Sequence, residues 1–307
     1  MAALWILVAS FLFSLMGAAV KLASGEYSVA EIVFYRGLVG IILLYFFIRH
    51  QGGKLRTEHL AGHIGRGAIG VVSLWMWFYA ATKLPLATAV TLNYMSPIWT
   101  AVALIGFAWW RGKERVAPPL LLAIGVSFGG VILALRPAFE AQQWFGALMA
   151  LLSGMLAAIA YTMVRRLSRA GEPEYRVVFY FLALNIAAGL AGGLLPGGSP
   201  DSAAWHAHSA RGAALLLFIG ASGVFAQMAL TRAWRTGKVL VVANLQYTGI
   251  VFSSLWGMLL WGDRFSWYVW LGMAVILVSG IAATFYNTQS TPRGAAVSKT
   301  DPIASEL

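Results

Sequence analysis

Cysteine is absent from this chain, charge is scarce, and acid is scarcer than base. Without a thiol there is no disulfide, no thiolate metal site and no cysteine nucleophile. Only 11% of the 307 residues are charged, where a soluble domain carries roughly 25%. Asp and Glu together number 11 against 22 Lys and Arg. HExxH, a Walker loop and dinucleotide-binding glycines are also missing, which argues against a metalloprotease, an ATP-driven pump and a nucleotide-dependent enzyme. Gly220-Ala221-Ser222-Gly223 has the outline of a nucleophile motif, but no histidine follows Ser222 to act as its base. No enzyme, cofactor or metal centre is expected.

The chain is instead 60% hydrophobic, and its apolar residues gather into runs long enough to cross a bilayer at about 20 residues each. Ten such spans are expected, near 3–23, 29–48, 66–82, 86–108, 117–135, 144–164, 176–195, 212–231, 239–260 and 267–286. The first lacks a basic segment before it and reads as a retained span rather than a signal peptide. The polar stretch 288–307 reads as a disordered tail.

A net charge of +11 suggests a nucleic-acid partner until its distribution is considered. One set of alternate loops holds Arg49, Lys54, Arg56, Arg66, then Arg111, Lys113, Arg115, then Arg165, Arg166, Arg169, Arg176, then Arg232, Arg235, Lys238, Arg293 and Lys299. The other set holds only Lys21, Lys83, Arg136, Arg211 and Arg264. This is the positive-inside pattern, and it sets both termini in the cytoplasm. The partner implied is a lipid bilayer, not nucleic acid.

The ten spans divide into five and five. A shift of 145 residues lays Phe34-Tyr35 on Phe179-Tyr180 and Lys21-Leu22 on Arg166-Leu167, and one of 153 lays Leu92-Asn93-Tyr94 on Leu245-Gln246-Tyr247. Because five is odd, the second copy enters the membrane upside down, giving two inverted repeats over 1–136 and 144–287. The expected fold is therefore an all-α polytopic membrane protein of ten transmembrane helices with alternating access built into its symmetry.

Polar residues at lipid depth mark candidate site positions, since facing hydrocarbon would leave their hydrogen-bonding groups unpaired. Asn93, Gln227, Asn244 and Gln246 qualify, either as cavity residues or as interhelical ties. Trp75 and Tyr79 share a helix face at i,i+4, and Tyr94 and Tyr247 are repeat mates, so these four can line an apolar pocket with polar tips. Trp77 and Phe78 are expected to face lipid. Lys21, Glu31 and Arg36 are the only charges placed inside spans, and all five histidines are placed outside them. Arg36 needs a partner, which is either a substrate carboxylate or Glu31 or a backbone carbonyl, the second choice making it a structural pin or an outer gate. Pro97 and Gly249 are candidate bends.

Phe34-Tyr35-Arg36, Thr82-Lys83-Leu84-Pro85-Leu86-Ala87, Asn93-Tyr94-Met95-Ser96-Pro97 and Gly112-Lys113-Glu114-Arg115 carry a further reading. With them the chain resembles the drug/metabolite transporter superfamily in its form with two EamA-type halves, over about residues 3–286. Its first half is most similar to the bacterial aromatic amino-acid exporters. The resemblance implies a substrate cavity between the halves, an inner-membrane location, and amino acids, aromatic and other neutral ones included, as cargo. Small relatives in that superfamily use a glutamate in their first helix for proton exchange, where span one here offers Ser10 and Ser14. Export without proton coupling is the expectation, with efflux of hydrophobic cations, drugs or another metabolite, driven by protons, as the alternative.

Overall fold

A computed structural model describes residues 2–96, 98, 99, 102, 122, 125, 126, 129, 130, 133, 143–194, 205–237, 242 and 245–289. Among the described residues the chain forms nine helices: α1 (Ala2–Ala23), α2 (Val29–Gln51), α3 (Leu60–Lys83), α4 (Leu86–Asn93), α5 (Trp144–Arg169), α6 (Glu174–Leu194), α7 (Ala210–Thr236), α8 (Thr248–Trp261) and α9 (Trp267–Gln289). Six of them, α1, α2, α3, α5, α6 and α7, are long and apolar enough to span a membrane, while Thr248–Trp261 and Trp267–Ser279 are shorter apolar helices. These six coincide with the first, second, third, sixth, seventh and eighth expected spans. Most of the expected fifth span, the later part of the fourth, Asn244, Pro97 and the tail from residue 290 lie outside the described residues.

Local sequence explains where the helices start and stop. Ser28 caps α2 in a reciprocal capping box with Glu31, and Gly52, at φ 65°, ends it in the left-handed conformation that glycine adopts without steric cost. Gly262 closes α8 in the same way at φ 65°. Span three begins earlier than its expected start at 66, because α3 already runs from Leu60 and takes His63 and Arg66 into the bundle.

The fourth and ninth spans are broken at matching places. After α4 ends at Asn93, Tyr94 and Met95 form a turn before helix resumes at Ser96; Leu245 and Gln246 are helical, Tyr247 is a turn, and α8 starts at Thr248. Tyr94 and Tyr247 are repeat mates, so both halves interrupt the same helix at the same point, a feature that transporters place at their binding sites.

Packing follows the repeat. α1 lies along α7 and α3 along α5, α2 pairs with α6, and α4 crosses α8. Exchanging the halves maps this set of pairings onto itself. The correspondence extends to single residues. A Cβ built on Gly67 would stand 2.4 Å from Leu184, and one on Gly220 would stand 2.4 Å from Val39. Likewise Gly70 faces Phe181 at 3.1 Å and Gly223 faces Arg36 at 3.0 Å. The two glycine pairs are related by the 153-residue shift, and Val39 with Leu184 and Arg36 with Phe181 by the 145-residue shift. Small residues thus let α3 approach α6 and α7 approach α2 closely in two matching interfaces, as membrane interfaces without a hydrophobic driving force require.

Large apolar side chains cover the outside. Phe46 is 65% exposed, Leu217 58%, Val251 61% and Leu259 65%, a density of bare hydrocarbon that only lipid or another apolar surface satisfies. The chain is a multi-pass membrane protein.

Candidate substrate cavity

The bundle surrounds an open-mouthed cavity of about 90 Å³. Its wall is drawn from both halves: Ser10, Phe13 and Met16 of α1, Arg36 of α2, Arg66, Gly70, Ser73 and Trp77 of α3, Asn93 and Tyr94 at the α4 break, Tyr161 of α5, Phe181 of α6, Gln227 of α7, and Gln246 before the α8 break. Trp77 and Tyr161 supply ring surface, while amides and two guanidiniums supply the polar groups.

Each amide is held. Asn93 donates through Nδ2 to Ser153 Oγ at 2.8 Å, and Ser73 donates to the Ser153 carbonyl at 2.8 Å, tying α3 and α4 to α5. Gln246 donates to the Tyr161 hydroxyl at 3.3 Å, and Tyr161 stacks on Trp234 with ring centroids 5.3 Å apart. The Gln246 Oε1 is buried without a partner. A free acceptor and locked donors suit a site that fixes the orientation of a small molecule.

The guanidiniums are the dominant charges. Arg36 is fully buried, with Nη1 donating to Asn185 Oδ1 at 3.3 Å, while its Nε and Nη2 have no partner. Arg66 is 3% exposed, and its Nε and Nη1 are unpartnered. Both lie against the same ring: Arg36 Cζ is 5.3 Å and Arg66 Cζ 4.2 Å from the Phe181 centroid. The cation–π contact offsets part of their desolvation. Neither pairs with a carboxylate among the described residues, and no Asp or Glu lines the cavity.

Glu31 is not the partner of Arg36. Its Oε1 accepts from the His206 backbone amide at 2.6 Å, and its Oε2 accepts from the Ser28 amide and faces His206 Nδ1 at 2.7 Å. It therefore caps α2 and anchors the loop before α7. At 100° per residue, positions five apart lie ~140° apart around a helix and point to different neighbours. Lys21 is a tie at the same end of the bundle, donating to the Leu84 carbonyl at 2.9 Å and lying 4.9 Å from the Trp261 ring. Nearby, burial pushes the Asp263 carboxyl above its ordinary range and the Lys21 ammonium pulls it back.

Several side chains stand elsewhere than expected. Trp75 does not reach the cavity; its ring abuts α6 at Gly192. Tyr79 points to α5, edge-on to Phe145 at 5.6 Å. Tyr247 is 1% exposed in the core, its hydroxyl unpartnered, and is absent from the cavity wall. Trp77, expected to face lipid, lines the cavity and reaches α1, 3.0 Å from a Cβ built on Gly17, and Phe78 is fully buried in the core. Arg66, counted as a loop residue, and His63, placed outside the spans, are both buried within α3. Gly249 sits two residues beyond the Tyr247 turn and gives room to Tyr94 across the interface.

The opposite end of the bundle, where basic residues concentrate, is closed by a second polar cluster. Glu172 accepts from Thr57 at 2.6 Å and Arg176 at 2.8 Å and meets His63 Nε2 at 3.1 Å, with His63 stacked on Tyr180. Burial alone raises the Glu172 carboxyl, but the hydrogen bonds from Thr57, Arg176 and His63 outweigh it and hold it below its ordinary 4.5. A lowered carboxyl stabilises the fold fully above that ordinary value and loses its contribution as pH falls through the depressed one. Melting of the detergent-purified protein is expected to drop more steeply below pH 4.5 for the wild type than for Glu172→Gln. Parallel curves would show that the cluster contributes nothing through its charge.

A membrane bundle whose cavity is walled by helices from both ends of the chain invites comparison with known carriers, and the sequence matches the EamA-like transporter family over residues 1–136 and 144–285. The chain belongs to that family. This EamA-like transporter is 34% identical to the pseudopaline exporter CntI of Pseudomonas aeruginosa over 279 residues, which are 90% of this chain and 93% of that protein. It is 24% identical to a riboflavin transporter of Vibrio cholerae over 95% of both chains. It also superposes on a solved crystal structure with a TM-score of 0.66 at 19% identity, covering 94% of this chain and 98% of that one, which shows a shared fold. In the EamA-like transporter the Ser222 hydroxyl donates to the Phe218 carbonyl at 2.6 Å within its own helix.

Proposed function

We propose that this transporter exports small carboxylate-bearing metabolites, amino acids among them, across the bacterial inner membrane by alternating access, with its basic end in the cytoplasm. The observation that carries this reading is Arg36, a buried guanidinium in the cavity wall with two unpartnered nitrogens and, among the described residues, no carboxylate beside it. A guanidinium at bilayer depth costs ~2.5–3.5 kcal/mol on insertion scales, and a substrate carboxylate compensates through paired, charge-assisted hydrogen bonds. Trp77, Phe13 and Tyr161 offer the apolar wall against which an amino-acid side chain, aromatic ones included, can lie. The relatives named for pseudopaline and riboflavin support a small-molecule cargo, and the broken helices at Tyr94 and Tyr247 support a site between the halves.

The alternative, efflux of hydrophobic cations, requires an acid or an open aromatic cage, and the described wall is cationic. The lack of a carboxylate among the described lining residues likewise supports transport down the substrate gradient. Counterflow into liposomes carrying the purified protein tests both points. Labelled amino acids are expected to exchange, tetraphenylphosphonium is not, and an imposed pH gradient is expected to leave the rate unchanged. Exchange of the cation alone would replace the proposal by drug efflux, and marked acceleration by the gradient would replace the uncoupled mechanism.

A further inference from the structure

A single carboxylate leaves half of the cavity's charge unanswered. Arg36 and Arg66 come from different helices, α2 and α3, and their Cζ atoms approach the Phe181 ring at 5.3 and 4.2 Å, so their separation cannot exceed those two distances combined. Each retains unpartnered buried N–H groups, Nε and Nη2 on Arg36 and Nε and Nη1 on Arg66. Like charges this close in a low-dielectric interior repel, and neither is relieved by an acid among the described residues. Space for both is built in by glycine: Gly223 stands 3.0 Å from Arg36 Nε and Gly70 3.6 Å from Arg66 Nη1, measured from a Cβ that neither residue has.

A structural role does not account for the pair. One guanidinium and Asn185 suffice to tie α2 to α6, and Arg66 makes no hydrogen bond through its buried Nε and Nη1. Resting on the carboxylate-export reading above, we propose that the preferred substrates carry two or more carboxylates, one held by Arg36 and another by Arg66, across the edge of Phe181. The substrate class is an acidic amino acid or an amino-acid derivative bearing additional carboxylates. A neutral amino acid engages only one fork and leaves the second cation buried and unpaired. A gain of one charge-assisted contact corresponds to about tenfold or more in affinity.

The test is counterflow into proteoliposomes with probes that differ by a carboxylate: labelled glycine against iminodiacetate, phenylalanine against aspartate, and citrate. Wild-type protein is expected to exchange the di- and tricarboxylates at least about tenfold better at low concentration, by half-saturation rather than by maximal rate. Arg66→Gln is expected to bring the dicarboxylates down to the level of their monocarboxylate counterparts, with Arg66→Lys intermediate. Equal half-saturation for mono- and dicarboxylates in the wild type would overturn the two-point site and leave the carboxylate reading standing. Exchange of no carboxylate at all would overturn both. Should Arg66→Gln fail to fold, the wild-type comparison decides alone, together with thermal stabilisation of the purified wild type by iminodiacetate but not by glycine. A preference for dicarboxylates that survives intact in folded Arg66→Gln would also overturn the assignment to Arg66.

Discussion

Arg36→Gln is expected to abolish carboxylate exchange without unfolding the protein. Removing one member of a buried charge pair costs about 2–5 kcal/mol of binding, which is roughly 30-fold or more in affinity. The fold responds in the opposite sense. In the substrate-free protein Arg36 is a fully buried cation with a single hydrogen bond, to Asn185 at 3.3 Å, and a glutamine amide can still donate to that oxygen. Relief of an unneutralised charge is worth a few kcal/mol at most, so the melting temperature in detergent is expected to stay level or rise. Transport and stability therefore move apart, as they do where a site keeps strain for its ligand. A lower melting temperature that parallels the loss of exchange would identify Arg36 as a structural pin between α2 and α6 instead. Arg36→Lys separates charge from shape: it keeps the cation but loses the planar fork, and intermediate exchange is expected.

The parts of this architecture that sequence reveals are those set by lipid. Apolar runs locate the six long helices, because a bilayer core leaves a spanning segment little freedom in length. Asn93, Gln227, Tyr94 and Gln246 were also recognisable, since an amide or phenol at lipid depth must turn inward. The misreadings share a cause. Arg66 and His63 dilute the start of α3, the least hydropathic of the six long helices at a mean of 1.2, so the residues that serve the cavity and its closing cluster look like the end of a loop. Periodicity places Trp75 and Tyr79 on one face and Trp77 roughly 200° around from Trp75, but it does not say which face meets the cavity. That choice is made by Gly192 on α6, which accepts Trp75, and by Gly17 on α1, which admits Trp77. The partner of Arg36 was equally out of reach: Asn185 is 149 residues away, brought near only when the two repeats pair α2 with α6.

Gly249→Ala is expected to cut exchange about tenfold or more in a protein that still folds, through a residue that need not touch substrate. A Cβ at Gly249 would lie 2.5 Å from Tyr94 Cε2 and 2.7 Å from its hydroxyl oxygen, so the Tyr94 ring must leave its place in the cavity wall. Overpacking of this kind costs about 1–3 kcal/mol. The strain falls where the two halves meet, because α4 and α8 cross at their interrupted ends. There the backbone is already rearranged: Met95 donates to Leu92 at 3.3 Å and Ile98 to Met95 at 2.9 Å, and the Asn93 and Leu92 carbonyls lie 2.5 and 3.0 Å from where a Cβ on Gly154 would stand. In the proposed alternating access, rocking one repeat against the other has to slide these contacts, so crowding them impedes the carrier before it unfolds it. A double-mutant cycle identifies the route. In a Tyr94→Ala background, which removes the ring, adding Gly249→Ala is expected to cost little further stability, whereas in Tyr94→Phe, which keeps it, the full penalty remains. Additive losses in both backgrounds would mean that Gly249 acts on its own helix rather than through Tyr94, and the crossing of the two broken spans would lose its claim to be where the halves move.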